Sequence, residues 1–503
     1  MDSLSDTIWD VVICGTGLQQ SLLALALSRS GKNILHIDPN EYYGGPEAAF
    51  SLQEAESWVA TLSDPTNQNN AGNGGVFRAA SITKPEATSP ALKFSRSYSL
   101  ALSPQLIHSR SELLAQLVSS RAHRQIDFLA VGAFFIFKAP EDLDHKAVLT
   151  RIPSTREDVF LSKAIPVKAK RGLMKFLKFV VDYDSEPQTE AWQPHADAPL
   201  TEFLRKEFTM EAELQTYIVT LTLSLDGRIS TRDGLAIIHR HLSSMGVFGP
   251  GFTAIYPKWG GISEIAQVAC RACAVGGAVY MLGTGIKSMQ TGYSAEMELE
   301  LELTNGVTVK TRRLVQTDEP ASEKVVVSRL VSIIDSPLNS LFAAVVEGAQ
   351  KPAVAVIAFP SGSLKTSAGK TWEFPVYVFA HSSDTGECPV GQSILYLTTP
   401  SITGSKEVLE QAVQSFLDAV SGEQVPHGVY QLYYEHLGGP AGSRTEGQVF
   451  KFPAASPSLS FNDSTLKVVR EAWKEVLNEA ATGADYMAFP DREGAVYDEE
   501  MYD

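Results

Sequence analysis

The chain has 503 residues, of which 44% are hydrophobic and 20% charged, a composition typical of a globular protein large enough for two domains. Its formal net charge of −16 argues against nucleic-acid binding, which favours basic surfaces. The sequence contains no apolar run of membrane-spanning length and no signal core at its N-terminus, and four cysteines are too few for a disulfide framework. We therefore expect a cytoplasmic protein.

The N-terminal segment predicts a β-α-β unit of the Rossmann type. Val11–Cys14 reads as a buried strand, and a helical stripe of leucines and alanines follows it. Gly15 and Gly17 suit a tight turn and the close approach of a pyrophosphate to the backbone. A second strand ends at Asp38, where an acid that binds a ribose would lie.

One residue breaks this dinucleotide-binding pattern. The third glycine of the fingerprint should be residue 20, and the chain has Gln20 there. A glutamine would push a long side chain into the contact between helix and strand, near the expected pyrophosphate. The motif thus predicts the fold, but we expect no flavin or nicotinamide cofactor to be bound.

The rest of the first half divides into a loose segment and a helical one. An Asn/Gly/Ser/Pro-rich stretch near residues 63–90 predicts a flexible insertion. Residues 109–120 predict a helix, and residues 131–137 a strand. Residues 160–248 predict an inserted all-helical domain, because apolar residues of Leu173–Val181 recur at helical spacing and three further helical stretches follow. Lysines and an arginine on the first of these helices form either a basic docking patch or a solvated face.

The second half predicts an added antiparallel sheet. We expect a hairpin with Leu301 opposite Val309 and Glu300 opposite Lys310, closed by a three-residue loop with Gly306 in the left-handed conformation, in preference to a two-residue loop. Further strands are expected at residues 325–334, 354–359, 376–380, 394–398 and 430–434, and a C-terminal helix with Asp463 as its N-cap. Residues 484–503 predict a loose acidic tail. The discontinuous first domain would then comprise residues 1–150 and 250–483.

Enzyme signatures are absent from the sequence. It contains no Gly-x-Ser-x-Gly elbow, no His-Glu-x-x-His pair and no phosphate loop, and its histidines are scattered. Cys270 and Cys273 could form a redox or metal pair, but no second Cys/His pair accompanies them, so two thiols buried on a helix are the preferred interpretation. We expect no metal site, and a flavin or nicotinamide oxidoreductase is the only enzyme class that the sequence suggests.

Three ordered blocks of sequence together resemble the Rab GDP-dissociation inhibitor and Rab escort protein superfamily, including its fungal members. The first comprises Cys14–Ser21, Gly31–Asp38 and Asn40–Gly45, with an amide at residue 20 where flavoenzymes keep glycine. The second and third comprise Leu106–Arg110, Arg124–Phe128, Lys175–Phe179, Tyr256–Pro257, Glu264–Arg271 and Tyr280–Leu282. The resemblance implies a fold similar to flavin oxidases with an inserted helical domain, in proteins that bind GDP-bound Rab GTPases and shelter a geranylgeranyl lipid.

The resemblance also implies a Rab-binding platform at Tyr43, Glu264, Arg271 and Met281. Glu264 and Arg271 are seven residues apart, which places both on one face of a helix. A glutamate and an arginine can hydrogen-bond a partner, while tyrosine and methionine supply adaptable contact area. The alternatives are a packed turn tyrosine and an intrahelical surface pair.

Within the superfamily, the chain is more similar to the escort branch than to the inhibitor branch. Escort proteins dock Rab geranylgeranyltransferase through a Phe and an Arg eleven residues apart, and Tyr217 and Arg228 occupy the matching positions here. Tyr217 departs from Phe, and Arg228 could instead cap a turn. The loop before Glu264 is one residue longer than is usual in the family.

The implied mechanism is presentation without a catalytic centre. The chain would guide the flexible Rab C-terminus over apolar surface near Leu106–Val118 to the transferase α/β heterodimer, retain the lipidated product and touch membranes transiently. A lipid groove would be lined from the Leu173–Val181 and Leu214–Leu225 helices. The alternatives are a Rab GDP-dissociation inhibitor and an FAD-dependent oxidoreductase.

Overall fold

A computed structural model describes residues 4–63, 75–84, 92–140, 146–153, 167–291, 298–318, 325–344, 348–422, 425–439, 442–478 and 485–490. Its helices are α1 (Leu18–Leu27), α2 (Leu52–Ser63), α3 (Glu112–Ser119), α4 (Val167–Val181), α5 (Glu186–Trp192), α6 (Leu200–Phe208), α7 (Ala212–Leu221), α8 (Thr231–Ser243), α9 (Ile262–Val275), α10 (Ser405–Val420) and α11 (Ser464–Leu477). Among the described residues, no helix is both long and apolar enough to cross a membrane.

A six-stranded sheet forms the Rossmann-type core. Its strands lie in the order Val279–Met281, Ile34–Ile37, Val11–Cys14, Leu314–Thr317, Val449–Phe452 and Arg444–Glu446, and all neighbours pair in parallel except the last two. Helix α1 connects two adjacent parallel strands, so the predicted β-α-β unit is confirmed. Helices α1, α3, α9 and α11 pack with this sheet in one apolar core.

A ten-stranded, mostly antiparallel sheet forms the second layer. Its order is Phe77–Thr83, Gly428–Gly438, Val325–Ile334, Ser393–Pro400, Val376–Ser382, Val354–Phe359, Phe128–Lys138, Ala254–Pro257 and Ile107–His108, with Val148–Arg151 paired to Phe128–Lys138. Each strand predicted in this region is present, in places one to four residues longer at an end. Helix α10, which the sequence did not predict, packs against one of its faces.

The predicted hairpin has the expected register. It belongs to a four-stranded sheet of Ile8–Trp9, Thr308–Thr311, Leu299–Leu303 and Ile286–Thr291. Leu301 lies opposite Val309, and Glu300 lies opposite Lys310 with 3.6 Å between the charged groups. Gly306 has a φ of +82°, so the three-residue loop is confirmed. A two-stranded sheet of Ala49–Phe50 and Leu100–Ala101 completes the strands.

The region predicted as a helical domain contains α4 to α8, and its described part begins at residue 167. Four of these helices lie where the sequence predicts helical stretches, and α5 is additional. Phe176, Val180 and Leu173 of α4 are buried, which confirms the predicted apolar face. Leu200, Phe203 and other side chains of the later helices join the same core as the ten-stranded sheet. The two domains therefore share one continuous apolar core.

Three expectations need correction. Part of the predicted insertion, residues 75–84, contains a strand of the ten-stranded sheet, because Val76 and Phe77 are buried against Trp58; residues 64–74 and 85–91 lie outside the described residues. The predicted tail begins with a packed segment, since Met487 is 1% exposed and Tyr486 contacts Trp473. Asp463 precedes α11 as predicted, yet its side chain makes no cap hydrogen bond. Its carboxylate instead pairs with the Arg240 guanidinium at 3.0 Å and accepts from the Ser111 hydroxyl.

Candidate functional site

Side chains of the protein fill the position where a dinucleotide pyrophosphate would lie. Gly15 has a φ of +98°, and α1 begins directly after Gly17, as the fingerprint predicts. A Cβ atom on Gly17 would lie 3.2 Å from both Gln20 Oε1 and Glu47 Oε2. Glu47 Oε2 also accepts the N–H of Leu18 in the first turn of α1, at 3.2 Å. A carboxylate thus occupies the anion site of the helix N-terminus.

Gln20 and Asp38 are engaged inside the protein. The Gln20 amide donates to the Thr317 hydroxyl, and its side chain is 4% exposed. One carboxylate oxygen of Asp38 accepts from the backbone N–H and hydroxyl of Thr16, both at 2.6 Å, and the other accepts from the N–H and amide of Asn40. Asp38 is therefore satisfied by its own loop, with no bond left to make to a ribose.

We call the group of Gly15, Gly17, Gln20, Asp38 and Glu47 the cradle. Burial shifts the pKa values of its two carboxyl groups. Desolvation raises the pKa of Glu47 from 4.5 to about 7, although the Leu18 N–H bond opposes the shift. Desolvation also raises the pKa of Asp38, against four hydrogen bonds that lower it. The cradle therefore offers a phosphate no positive group, and one carboxyl already bonds to the helix N-terminus.

Of the predicted platform residues, Tyr43 and Met281 lie beside Tyr280 on the edge strand of the six-stranded sheet. The Tyr43 ring is 6.3 Å from the Tyr280 ring, and Met281 is the next residue of the same strand. Met281 is fixed by its carbonyl, which accepts the Asp38 N–H at 2.9 Å. Glu264 and Arg271 both lie on α9, about two turns apart and thus roughly 10 Å along the axis. Tyr43, Glu264 and Met281 are half-buried and Arg271 is exposed.

Nearby charges and burial shift the pKa of Glu264, although no direct ion pair holds it among the residues that the structure describes. Burial raises the pKa of its carboxyl, Asp127 raises it further, and Arg271 lowers it. The Glu264–Arg271 interaction is therefore a longer-range attraction along the helix. Both groups keep hydrogen-bonding capacity toward a partner protein. The platform assignment stays a prediction.

A large apolar cavity lies between the helical domain and the ten-stranded sheet. Its volume is about 460 Å³, within the range of ~300–1,000 Å³ typical of ligand sites. Helices α4, α7 and α8 contribute its walls with Leu173, Leu177, Val181, Tyr217, Ile218, Leu221, His241 and Leu242. Residues 132–134, residues 152–153 and lining residues within 245–253 supply the rest. Burial lowers the pKa of His241 to about 4, so its imidazole is neutral at physiological pH and suits an apolar ligand.

Tyr217 and Arg228 occupy different environments. Tyr217 is 5% exposed and lines this cavity, and its hydroxyl donates to Glu213 at 3.2 Å. Arg228 is exposed, and its backbone N–H donates to the Asp226 carboxylate at 2.9 Å. The backbone of Arg228 therefore takes part in the turn at Asp226, as the alternative interpretation expects, while its side chain is exposed to solvent. Because Tyr217 is buried, a transferase could contact it only by inserting a group into the cavity. The docking roles of Tyr217 and Arg228 both stay predictions.

The apolar surface expected near Leu106–Val118 is not there. Leu106, Ile107, Leu113 and Leu117 are buried in the two main cores, and Val118, at 50%, is the one large apolar side chain of this fully described segment that is exposed. The helical spacing of these leucines reflects their packing into the protein core. The expectation of an apolar track for a GTPase C-terminus along this segment is therefore wrong.

The remaining alternatives are resolved by contacts. Cys270 and Cys273 are buried free thiols on α9, and desolvation raises their pKa values to about 11 and about 12. The preferred interpretation, two thiols buried on a helix, is confirmed. On α4, Lys175 donates to the Glu207 carbonyl, and Lys175 and Lys178 border a groove of about 410 Å³ that includes Phe179 and Phe208. These two lysines therefore rim an aromatic groove as well as facing solvent.

Sequence reasoning missed Glu47 and Thr16, the residues that complete the cradle. No spacing rule marks Glu47, because its carboxylate reaches α1 from a separate loop 29 residues along the chain. The sequence also assigned no role to Arg29 and Arg121, and Arg124 entered only as part of a block of resemblance. All three lie with Arg271 around a further cavity. Their positions after helix ends were the available signal.

The fold and the cradle define a protein that combines a Rossmann-type sheet with a ten-stranded sheet and a helical region, and whose own side chains surround its glycine turn. Residues 5–344 match the family model described as GDP dissociation inhibitor, and the chain belongs to this family. The chain is 30% identical over 400 residues to the Rab proteins geranylgeranyltransferase component A of Saccharomyces cerevisiae, covering 78% of this chain and 61% of that protein. It thus spans less than two thirds of that relative's length.

Solved structures confirm the predicted fold class. The Rab GDI from Plasmodium falciparum superposes with a TM-score of 0.64 at 16% identity, covering 93% of this chain and 98% of that chain. An oxidoreductase from Methanosarcina mazei superposes with a TM-score of 0.57 at 11% identity, covering 92% of this chain and 99% of that one. At these identities the similarity establishes the architecture alone.

Proposed function

We propose that this chain is an escort for Rab GTPases. It binds a newly made GTPase in the GDP form on the platform of Tyr43, Glu264, Arg271 and Met281. It presents that GTPase to the α/β heterodimer of Rab geranylgeranyltransferase, without a catalytic centre of its own. It then retains the geranylgeranylated product and delivers it to membranes, working in the cytoplasm with transient membrane contact. Family membership and the name of the yeast relative support the proposal.

The observation that carries the proposal is the apolar cavity between the helical domain and the ten-stranded sheet. Its walls come from both domains, and its lining is apolar apart from Tyr217, His241 and Thr253. Each CH₂ group that leaves water contributes about 0.8 kcal/mol, so a cavity of this volume can hold an isoprenoid chain tightly. Its lining agrees with the expected groove from the Leu173–Val181 and Leu214–Leu225 helices.

A filling substitution tests the cavity. Leu177→Trp adds an indole to the wall and should weaken binding of a geranylgeranylated GTPase by at least about tenfold, while binding of the unmodified GTPase stays unchanged. Leu225→Trp is the matched control, because Leu225 belongs to the same domain but does not line the cavity. Equal retention by both variants would place the lipid elsewhere.

Prenylation with purified transferase distinguishes an escort from an inhibitor. The chain should restore geranylgeranyl transfer to an unmodified Rab, whereas a GDP-dissociation inhibitor binds the prenylated Rab without supporting transfer. A chain that binds prenylated Rab but yields no transfer would refute the escort assignment.

The residues of the cradle do not fit a flavin. Glu47 bonds to the helix N-terminus that would hold the pyrophosphate, Gln20 lies against both glycines, and Asp38 is satisfied by Thr16 and Asn40. We therefore expect the purified protein to be colourless, and an absorbance band of a bound flavin would contradict this part of the proposal.

A further inference from the structure

A second large cavity, outside the cradle and the lipid cavity, is ringed by arginines. Its volume is about 470 Å³, and it lies where the ends of α1, α3 and α9 meet. Four arginines line it (Arg29, Arg121, Arg124 and Arg271), whereas none of its lining residues is an aspartate or glutamate. In a chain of net charge −16, so many cations around one cavity form a local anion-attracting site.

Arg121, in the wall of this cavity, has an unfavourable backbone conformation. It has a φ of +64° directly after the end of α3, a position where glycine is usual because other residues are strained. Its Nε atom is buried and, within the described residues, has no hydrogen-bond partner. A buried donor without an acceptor is unfavourable, so an acceptor from a ligand would satisfy it.

An acidic segment of the chain follows directly after two residues of the cavity wall. Phe489 and Pro490 form part of the wall, and they are anchored by Arg29, which donates to the Pro490 carbonyl at 2.9 Å and lies over the Phe489 ring at 4.6 Å. The Phe489 N–H also bonds to the Ser119 carbonyl at 3.0 Å. Residues 491–503 follow at once and contain six carboxylates and a single arginine.

We propose that the arginine cavity is an acidic-peptide site and that residues 491–503 occupy it in cis. Thirteen residues can span roughly 40 Å when extended, which is ample to return across the cavity. Because the segment is tethered at the wall, its effective concentration is of the order of millimolar, so weak carboxylate–guanidinium contacts suffice. When residues 491–503 occupy the cavity, they cover Arg271. The segment thereby competes with a GTPase for this platform residue, a consequence that rests on the proposed function.

Fluorescence anisotropy of the full chain tests the docking without any GTPase. Met501→Cys places a label in the segment, and the native thiols do not compete, since burial raises the pKa of each to between about 11 and about 12. We expect the anisotropy to fall when NaCl rises from about 50 mM to about 500 mM. It should also fall at low salt in Arg121→Gln/Arg124→Gln.

The matched control removes the same charge elsewhere. Arg205→Gln/Arg228→Gln changes two exposed arginines of the helical domain and should leave the anisotropy unchanged. An anisotropy that is independent of salt and equal in both double variants would overturn the proposal.

GTPase affinity tests the competition separately. Neutralising the segment with Asp498→Asn, Glu499→Gln and Glu500→Gln should tighten binding of a GDP-bound Rab by about fivefold at low salt, with the difference lost at high salt. If residues 491–503 dock in the cavity but their neutralisation leaves the affinity for the GTPase unaltered, only the competition is refuted. Absence of any Rab binding would refute the proposed function, while the anisotropy result still decides the cavity's ligand.

Discussion

Replacement of Glu47 by glutamine tests the cradle through its pH dependence. The buried carboxyl has a pKa of about 7 in the folded protein, against 4.5 ordinarily, because desolvation disfavours its charged form. The folded state therefore binds this proton more tightly than the unfolded chain does. The stability from this effect is complete below pH 4.5 and is lost as the pH rises toward 7.

The difference between these two pKa values corresponds to about 3 kcal/mol. Glu47→Gln keeps an acceptor for the Leu18 N–H and cannot ionise. The folded-state pKa of about 7 already includes the attraction between the carboxylate and the helix N-terminus. At pH 5, close to the ordinary pKa of 4.5, the variant should therefore exceed the original protein in stability by less than about 1 kcal/mol. At pH 8 the variant should be more stable by about 3 kcal/mol.

Thermal unfolding from pH 5 to pH 8 measures this difference. For a chain of this size that unfolds as one unit, about 3 kcal/mol raises the melting temperature by about 3 °C. The control is Glu41→Gln, since Glu41 is an exposed glutamate of the same loop. Melting temperatures of the Glu47 variant and the original protein that run parallel across the range would refute the inference that burial controls this carboxyl.

Two predictions concern the partner surfaces. Arg271→Ala should weaken binding of a GDP-bound Rab by at least about tenfold in calorimetry, because an exposed guanidinium that bonds a partner is lost; Arg205→Ala should not, and equal affinities would refute the platform. Arg228→Glu should abolish stimulation of the transferase while Rab affinity is retained. Arg232→Glu, on a neighbouring exposed arginine, is its control, and unchanged prenylation by Arg228→Glu would exclude this docking site.

Local periodicity predicted much of the fold. The β-α-β unit, four of the five helices in the helical region and the hairpin register follow from the alternation of apolar and polar side chains over short spans. The short helix α5 was not predicted. Helix α10 was missed although it buries Val408, Leu409 and Phe416 on one face, a pattern that the sequence analysis did not single out. The strand at Phe77–Thr83 was missed because a polar, glycine-rich context surrounds it.

The candidate site was less predictable, because burial is a property of the whole fold. The platform positions came from resemblance, and the fold then placed Tyr43, Met281 and α9 around one tyrosine. The leucines of Leu106–Val118 are apolar whether they face a core or a ligand, so sequence could not tell the two apart. Tyr217 likewise matched a docking position but lines the cavity.

The filled cradle also supports the platform mechanically. Thr16 bonds Asp38 and accepts the Gly44 N–H at 3.0 Å, and the Glu47 N–H donates to the Gly44 carbonyl at 2.8 Å. Tyr43 thus sits in a loop that is tied to the glycine turn from two sides. In a flavoenzyme a bound cofactor bridges the glycine turn and the loop after the second strand. Here the carboxylates of Asp38 and Glu47 connect the same two segments and fix the loop that carries Tyr43. Under the proposed function, these contacts preorganise the Rab-binding surface.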